Sequence, residues 1–295
     1  MRMKISMEAL TEIFRLQEEE QPLIHCISSM VTMSDLAQGI LSYNGNPIIA
    51  HGIDEIGEIT TRADGVLINL GTLDSYKIAS MEKSLRIASR KNKPVVLDAI
   101  GVDISFFRRE IALIFLERYK IDVIKGNLSE IKELLEKKNK KSKEIRLYKD
   151  ENKKNEDEAV DSVKSDYEIR EKMRLFSKKY KSILIVTGKE NYVTDGFSEF
   201  FISNGNEKFD KIVGISSILG GLISVGISVA RTNAEKVQAV LIAIMTMGIS
   251  QELAYEVNKE NLGLMSLRNS LIDEISMIDN AKIESMGKIS YVFKR

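Results

Sequence analysis

What most constrains this chain is a series of short β-branched runs, several of them separated by helix-length segments. "NPIIA" (46–50), "GVLINLG" (65–71), "KPVVLDAIG" (93–101), "IDVIKGN" (121–127) and "SILIVTG" (182–188) have the length and composition of buried strands. Strands apolar on both sides belong to parallel sheets with helices packed on each face. The expected fold is therefore α/β, a doubly wound and mostly parallel sheet with helices on both faces. After Thr187 the pattern changes. "NYVTDGFSEFFIS" turns at Asp195–Gly196 like a hairpin. Long helices are then expected at about Ser216–Ala230, Ala234–Asn258 and Ser266–Met277.

A chain of 295 residues suits one large α/β domain, and a single domain over 1–295 is expected. The stretch Glu136–Asp166 differs in kind: it is mostly charged and nearly free of large apolar residues, which predicts a solvated insertion. The 43 basic and 43 acidic residues cancel, so no basic field points to nucleic acid or to an anionic membrane. A small-molecule substrate is the default. Cys26 is the only cysteine, which fits a reducing compartment and predicts a cytoplasmic location. The N-terminal stretch lacks a signal peptide's apolar core. The apolar segments Ile218–Ala230 and Ala239–Ile249 are broken by Gly, Ser or Thr and fall short of the roughly 18–20 residues of a membrane span.

In open parallel sheets the ligand crevice lies outside the carboxyl ends of the strands, so polar residues there are the first candidates. Asp98 ends the nearly all-apolar "VVLD", where a carboxylate needs a partner. A hydrated Mg²⁺ held through Asp98, Glu130 and substrate phosphates would supply one. Asn127 with Glu130 three residues later equally reads as a capping box. "KIVGISSILGG" (211–221) reads as a strand end, a glycine turn and a helix start, an arrangement whose N–H groups cradle anions. Gly220, Gly221 and Gly226 inside that helix read as close-packing positions. "TGKE" (187–190) lacks the other residues of a P-loop, and two histidines with one cysteine make a zinc site a poor fit.

Seven collinear segments, "PLIHCISSMVTMSDLAQGIL", "NPIIA", "VLINLGTLD", "PVVLDAIGVDISFFRRE", "VIKGNLSEI", "ILIVTGKENYVTDG" and "VGISSILGGLIS", resemble the hydroxyethylthiazole kinase family of thiamin salvage. The resemblance covers nearly the whole chain except the charged insertion and the extreme C-terminus. It implies a ribokinase-like fold and a homotrimer with active sites between subunits. It also implies ATP- and Mg²⁺-dependent phosphorylation of the hydroxyethyl group of a methylthiazole alcohol. By the same resemblance, Asp98 and Glu130 are the metal-associated acids. Lys125, Asn127 and Thr187 face the nucleotide, and Ser29, Ile49 and Gly214 the acceptor. Ser217 and Asp103 are the catalytic candidates.

The chain departs from the family at several of these positions. Lys125 replaces an Arg, Ser29 an Asn, Ile49 a Met and Asp103 a Gly, and "GTGC" becomes Gly214-Ile215-Ser216-Ser217. Ser217 thus stands where the resemblance places the catalytic cysteine. A serine hydroxyl will not act as a base without a neighbour that takes its proton. If Ile215 or Ser216 adopted glycine's left-handed conformation, each would cost about 1–2 kcal/mol. Ser216 or Ser217 also reads as a plain helix N-cap. The expected function is a thiazole-alcohol kinase, with full or weakened activity. Two alternatives stay open: a catalytically lapsed small-molecule-binding or regulatory protein, and a ribokinase-like kinase of another small alcohol that uses Asp103 as its base.

Overall fold

The structure is a computed structural model and describes residues 7–136, 163–260 and 262–292. The five expected strands are present. They are β2 (Asn46–Ile49), β3 (Gly65–Asn69), β4 (Val95–Asp98), β5 (Val123–Asn127) and β6 (Ile183–Thr187). With β1 (Leu23–Ile27), the hairpin β7 (Asn191–Thr194) and β8 (Glu199–Ile202), and β9 (Ile289–Tyr291) they form one sheet, in the order β2-β1-β3-β4-β5-β6-β7-β8-β9. The first six strands are parallel and the last three pairings antiparallel. β9, three residues long, is too short to show a periodicity in sequence.

Alternate residues of each strand enter two separate cores. Ile24, Cys26, Leu67, Val96, Val123 and Ile185 face one core. It is completed by helices α1 (Met7–Glu20), α2 (Met33–Ser42), α8 (Ile215–Val229), α9 (Asn233–Val257) and α10 (Leu264–Ser276). Val66, Ile68, Val95, Leu97, Ile124 and Leu184 face the other, under α4 (Ser75–Lys91), α5 (Phe106–Arg118), α6 (Leu128–Leu135) and α7 (Tyr167–Tyr180). This is the doubly wound architecture that the run pattern predicts. Strand order reverses at β1, whose neighbours are β2 and β3. That switch point opens the crevice toward the carboxyl ends of β1 and β3.

Three expectations need correction. The segment before Gly214 is not a strand end but a 3₁₀ turn over Glu207–Lys211. The charged insertion expected at 136–166 lies outside the described residues between 137 and 162. Its last residues belong to the fold: Val163 is buried in the second core and Asp166 caps α7 through the Ile169 N–H. Finally, α9 is long and apolar enough to cross a membrane by length and composition alone. Most of that apolar window is buried inside the molecule, where a central helix is apolar all round.

The glycines of α8 do pack closely. A Cβ on Gly221 would lie 2.8 Å from side-chain carbons of both Leu36 and Ile40 on α2, and one on Gly226 would lie 3.1 Å from Ala239 Cβ on α9. Gly221→Ala is expected to lower stability by about 1–3 kcal/mol through overpacking, read as a shift of the urea midpoint at unchanged slope. An unshifted midpoint would show that α2 and α8 are not in contact.

Candidate active site

One row across the sheet carries the site's charge. Asn69, Asp98 and Lys125 are register partners on β3, β4 and β5. Their side chains share the face on which α8 lies. Asn69 and Asp98 end otherwise apolar strands and Lys125 is the middle residue of β5, and each is buried: Asn69 and Asp98 are 1% exposed and Lys125 0%. Lys125 Nζ donates to Asp98 Oδ1 at 2.9 Å, and Asn69 Nδ2 donates to Asp98 Oδ2 at 3.0 Å. The buried carboxylate therefore has its partners within the protein, and its burial alone does not require a metal.

Helix α8 closes the row from above. Gly214, at φ +100°, is its N-cap, and no side chain caps the first turn. The N–H groups of that turn are therefore left to face the crevice. Ile215 and Ser216 are already helical, and neither is among the described residues with positive φ. The strain expected for the altered loop does not arise. Neither Ser216 nor Ser217 is the cap. Instead Lys125 Nζ donates to Ser216 Oγ at 2.6 Å, and Ser217 Oγ lies 3.0 Å from Thr32 Oγ1 and 3.5 Å from Asn69 Nδ2. Asp35 of α2, ion-paired to Arg268 of α10, packs on Gly214: a Cβ there would lie 2.9 Å from Asp35 Oδ2.

Toward β5 and β6, Asn127 and Thr187 are register partners at the strand ends. Asn127 caps α6 and forms a full capping box with Glu130. Glu130 Oε2 accepts from the Asn127 N–H at 2.7 Å, while Oε1 accepts from the Gly101 N–H at 2.8 Å. Desolvation pushes the Glu130 carboxyl above its ordinary range. The Asp98 charge adds to that, and the two backbone donors and Lys125 oppose it.

On the other side, Ser29 follows β1 and Ile49 ends the neighbouring β2. Ser29 is buried, and Ile49 packs half-buried against the first core. Lys77 of α4 ties the segments after β1 and β3 together, donating to Ser28 O and to Thr72 Oγ1. Asp103 stands apart. It is half-buried in the turn between β4 and α5, and among the described residues no hydrogen bond joins it to Ser217, Asp98 or Lys125. Asn69, Thr32, Ser216 and Asp35 are not among the residues that the sequence singles out. Asn69 carries the signal that flagged Asp98, a polar residue ending an apolar strand.

A model of the hydroxyethylthiazole kinase family matches residues 14–281. A protein named hydroxyethylthiazole kinase from Clostridium perfringens (strain 13 / Type A) is 34% identical over 274 residues, covering 93% of this chain and 98% of the relative. The solved structure of a hydroxyethylthiazole kinase protein from Pyrococcus horikoshii OT3 superposes with a TM-score of 0.80 at 29% identity, over 97% of this chain and 100% of that one. A ribokinase-like superfamily protein from Enterococcus faecalis V583 superposes at 0.59 with 10% identity, over 92% and 95% of the two chains, a likeness of fold alone.

Lys125→Met is expected to destabilise the protein by about 3–5 kcal/mol, because it leaves Asp98 buried without its counter-ion. The double variant Lys125→Met/Asp98→Leu should recover most of the loss. Urea unfolding checks both. Equal midpoints for wild type and the single variant would show that the pair is hydrated.

Proposed function

Because the chain belongs to the hydroxyethylthiazole kinase family, we propose that it transfers a phosphoryl group from ATP to the hydroxyl of 4-methyl-5-(2-hydroxyethyl)thiazole. The observation that carries this reading is the uncapped first turn of α8 lying over a buried carboxylate–ammonium pair on β4 and β5, next to the strand-order switch at β1 and β3. Asn127 and Thr187 at the β5 and β6 ends take the nucleotide side, and Ser29, Ile49 and Gly214 the alcohol side. The first-turn N–H groups then face the group in transit and stabilise its charge. Lys125 pairs with Asp98 and anchors Ser216, and thus the loop, beneath the reacting groups.

Two carboxyls lie buried near one ammonium: Asp98 is ion-paired to Lys125, and Glu130 accepts from the Gly101 and Asn127 N–H groups. That pair of acids fits a hydrated divalent cation shared with substrate phosphates. Among the described residues no group of three His, Cys, Asp or Glu forms a closed metal cage. Asp98 and Glu130 would hold Mg²⁺, which supplies charge neutralisation on the phosphates when bound. The balanced charge and single cysteine support a cytoplasmic enzyme with no nucleic-acid or membrane partner.

Among the described residues the hydrogen-bond partners of Ser217 Oγ are Thr32 and Asn69, and neither is a base. Phosphoryl transfer through a loose transition state asks little of a base, so its absence costs about 10²–10⁴ in rate rather than all of it. We therefore read a slow kinase. An ATP-consumption assay with Mg²⁺ against thiazole, pyrimidine and sugar alcohols tests the function. Turnover confined to the thiazole alcohol is expected, and turnover of none of them would favour a lapsed binding protein. Ser217→Cys should raise kcat about tenfold, about 1.4 kcal/mol of barrier, because a helix N-terminus favours the thiolate. A flat kcat would remove Ser217 as the bottleneck and return attention to Asp103.

The same reading includes a homotrimer with shared sites. Met30 and Val31 just after Ser29, and Val213 just before Gly214, are largely exposed apolar side chains beside the acceptor end of the crevice. Light scattering at micromolar concentration should give three times the 33.3 kDa chain mass. A monomer would remove this part.

A further inference from the structure

The assigned roles leave out the residue at the β3 end of the buried row. Asn69 makes three contacts, and one of them fixes its orientation. The Gly71 N–H, which can only donate, lies 2.8 Å from Oδ1. Oδ1 is therefore the acceptor and Nδ2 carries both hydrogens. Nδ2 faces Asp98 Oδ2 at 3.0 Å and, at the longer distance of 3.5 Å, Ser217 Oγ. Ser217 Oγ thus accepts on that side, and its own hydrogen is turned toward Thr32 Oγ1 or into the crevice. Gly71 leaves room for the arrangement: a Cβ there would sit 2.8 Å from Asn69 Oδ1.

We propose that Asn69 is a positioning residue for phosphoryl transfer: oriented by the Gly71 N–H, its amide fixes Asp98 with one hydrogen and, with the other, aims the Ser217 hydroxyl away from that carboxylate. Ser217 then donates to the group in transit rather than to Asp98. Without the amide, the bare Asp98 Oδ2 competes for the Ser217 hydrogen, and the crevice loses a donor. The ladder bonds of β3 are backbone bonds and do not need this side chain, so the residue acts through its two neighbours. The inference rests on the proposed kinase function.

The test is a double-mutant cycle on the full chain with Asn69→Ala, Ser217→Ala and both together, reading kcat and the KM for ATP. Asn69→Ala should lower kcat about tenfold to a hundredfold with KM within about twofold, the pattern of an interaction realised in the transition state. In the Ser217→Ala background the further loss should be under about threefold, because contacting residues that act as a unit are not additive. Gly71→Ala, which displaces the amide without removing it, should lower kcat in the same direction, and not further in the Asn69→Ala background. Losses that multiply, a full kcat in Asn69→Ala, or a change confined to KM would overturn the proposal. An independent reading uses NMR of the Asn69 side-chain amide, where Ser217→Ala should shift one of its two hydrogens and leave the other. If the wild type phosphorylates no alcohol, the kinase reading fails, and the NMR result still decides the positioning: an unmoved amide overturns it.

Discussion

The pair between Asp98 and Lys125 constrains everything around it. Two unit charges of opposite sign sit wholly buried as register partners on neighbouring strands. Removing either would leave an uncompensated charge in the core. A buried pair survives only when its remaining donors and acceptors are also met, and here they are met by Asn69 below α8 and by Ser216 on it. The consequence is geometric. The first turn of α8 cannot slide along the sheet without breaking the Lys125–Ser216 bond, so the turn's outward-facing N–H groups stay in register with the β4 and β5 ends. The charge that stabilises the row is therefore the device that fixes the first turn of α8.

The fold was legible because its signals are local and repeated. Each buried strand shows as an apolar run, and the glycines of α8 mark where α2 and α9 approach it. The site was legible only in part. Asp98 stands out because a carboxylate ending "VVL" has to be explained, yet its partner could not be identified from one strand. Lys125 lies 27 residues away and meets it only through sheet register. Asn69 is less conspicuous still, since an amide at a strand end raises no charge problem. Ser216 and Ser217 look like caps in sequence. They are not caps because Gly214, with its positive φ, takes that position two residues earlier. The 3₁₀ turn at Glu207–Lys211 escaped because it carries neither strand nor helix periodicity.

The altered loop also bears on whether this chain has lapsed or adapted. Decay would be expected to leave loose ends: unpaired polar groups, or strain where glycines were lost. The structure shows neither at these positions. Ser216, where the family motif has glycine, accepts from Lys125, where the family motif has arginine. A lysine is a compact point charge that here serves a carboxylate and a hydroxyl at once, whereas a guanidinium is a planar fork with fixed donor directions. The two departures fit one another. Ser217 differs, since it sits among hydrogen-bond partners without a proton acceptor. On the proposed kinase reading, positioning and acid–base chemistry separate: the first is rebuilt with different side chains, and the second is reduced. Phosphoryl transfer tolerates that division, because most of its catalysis lies in positioning and charge stabilisation.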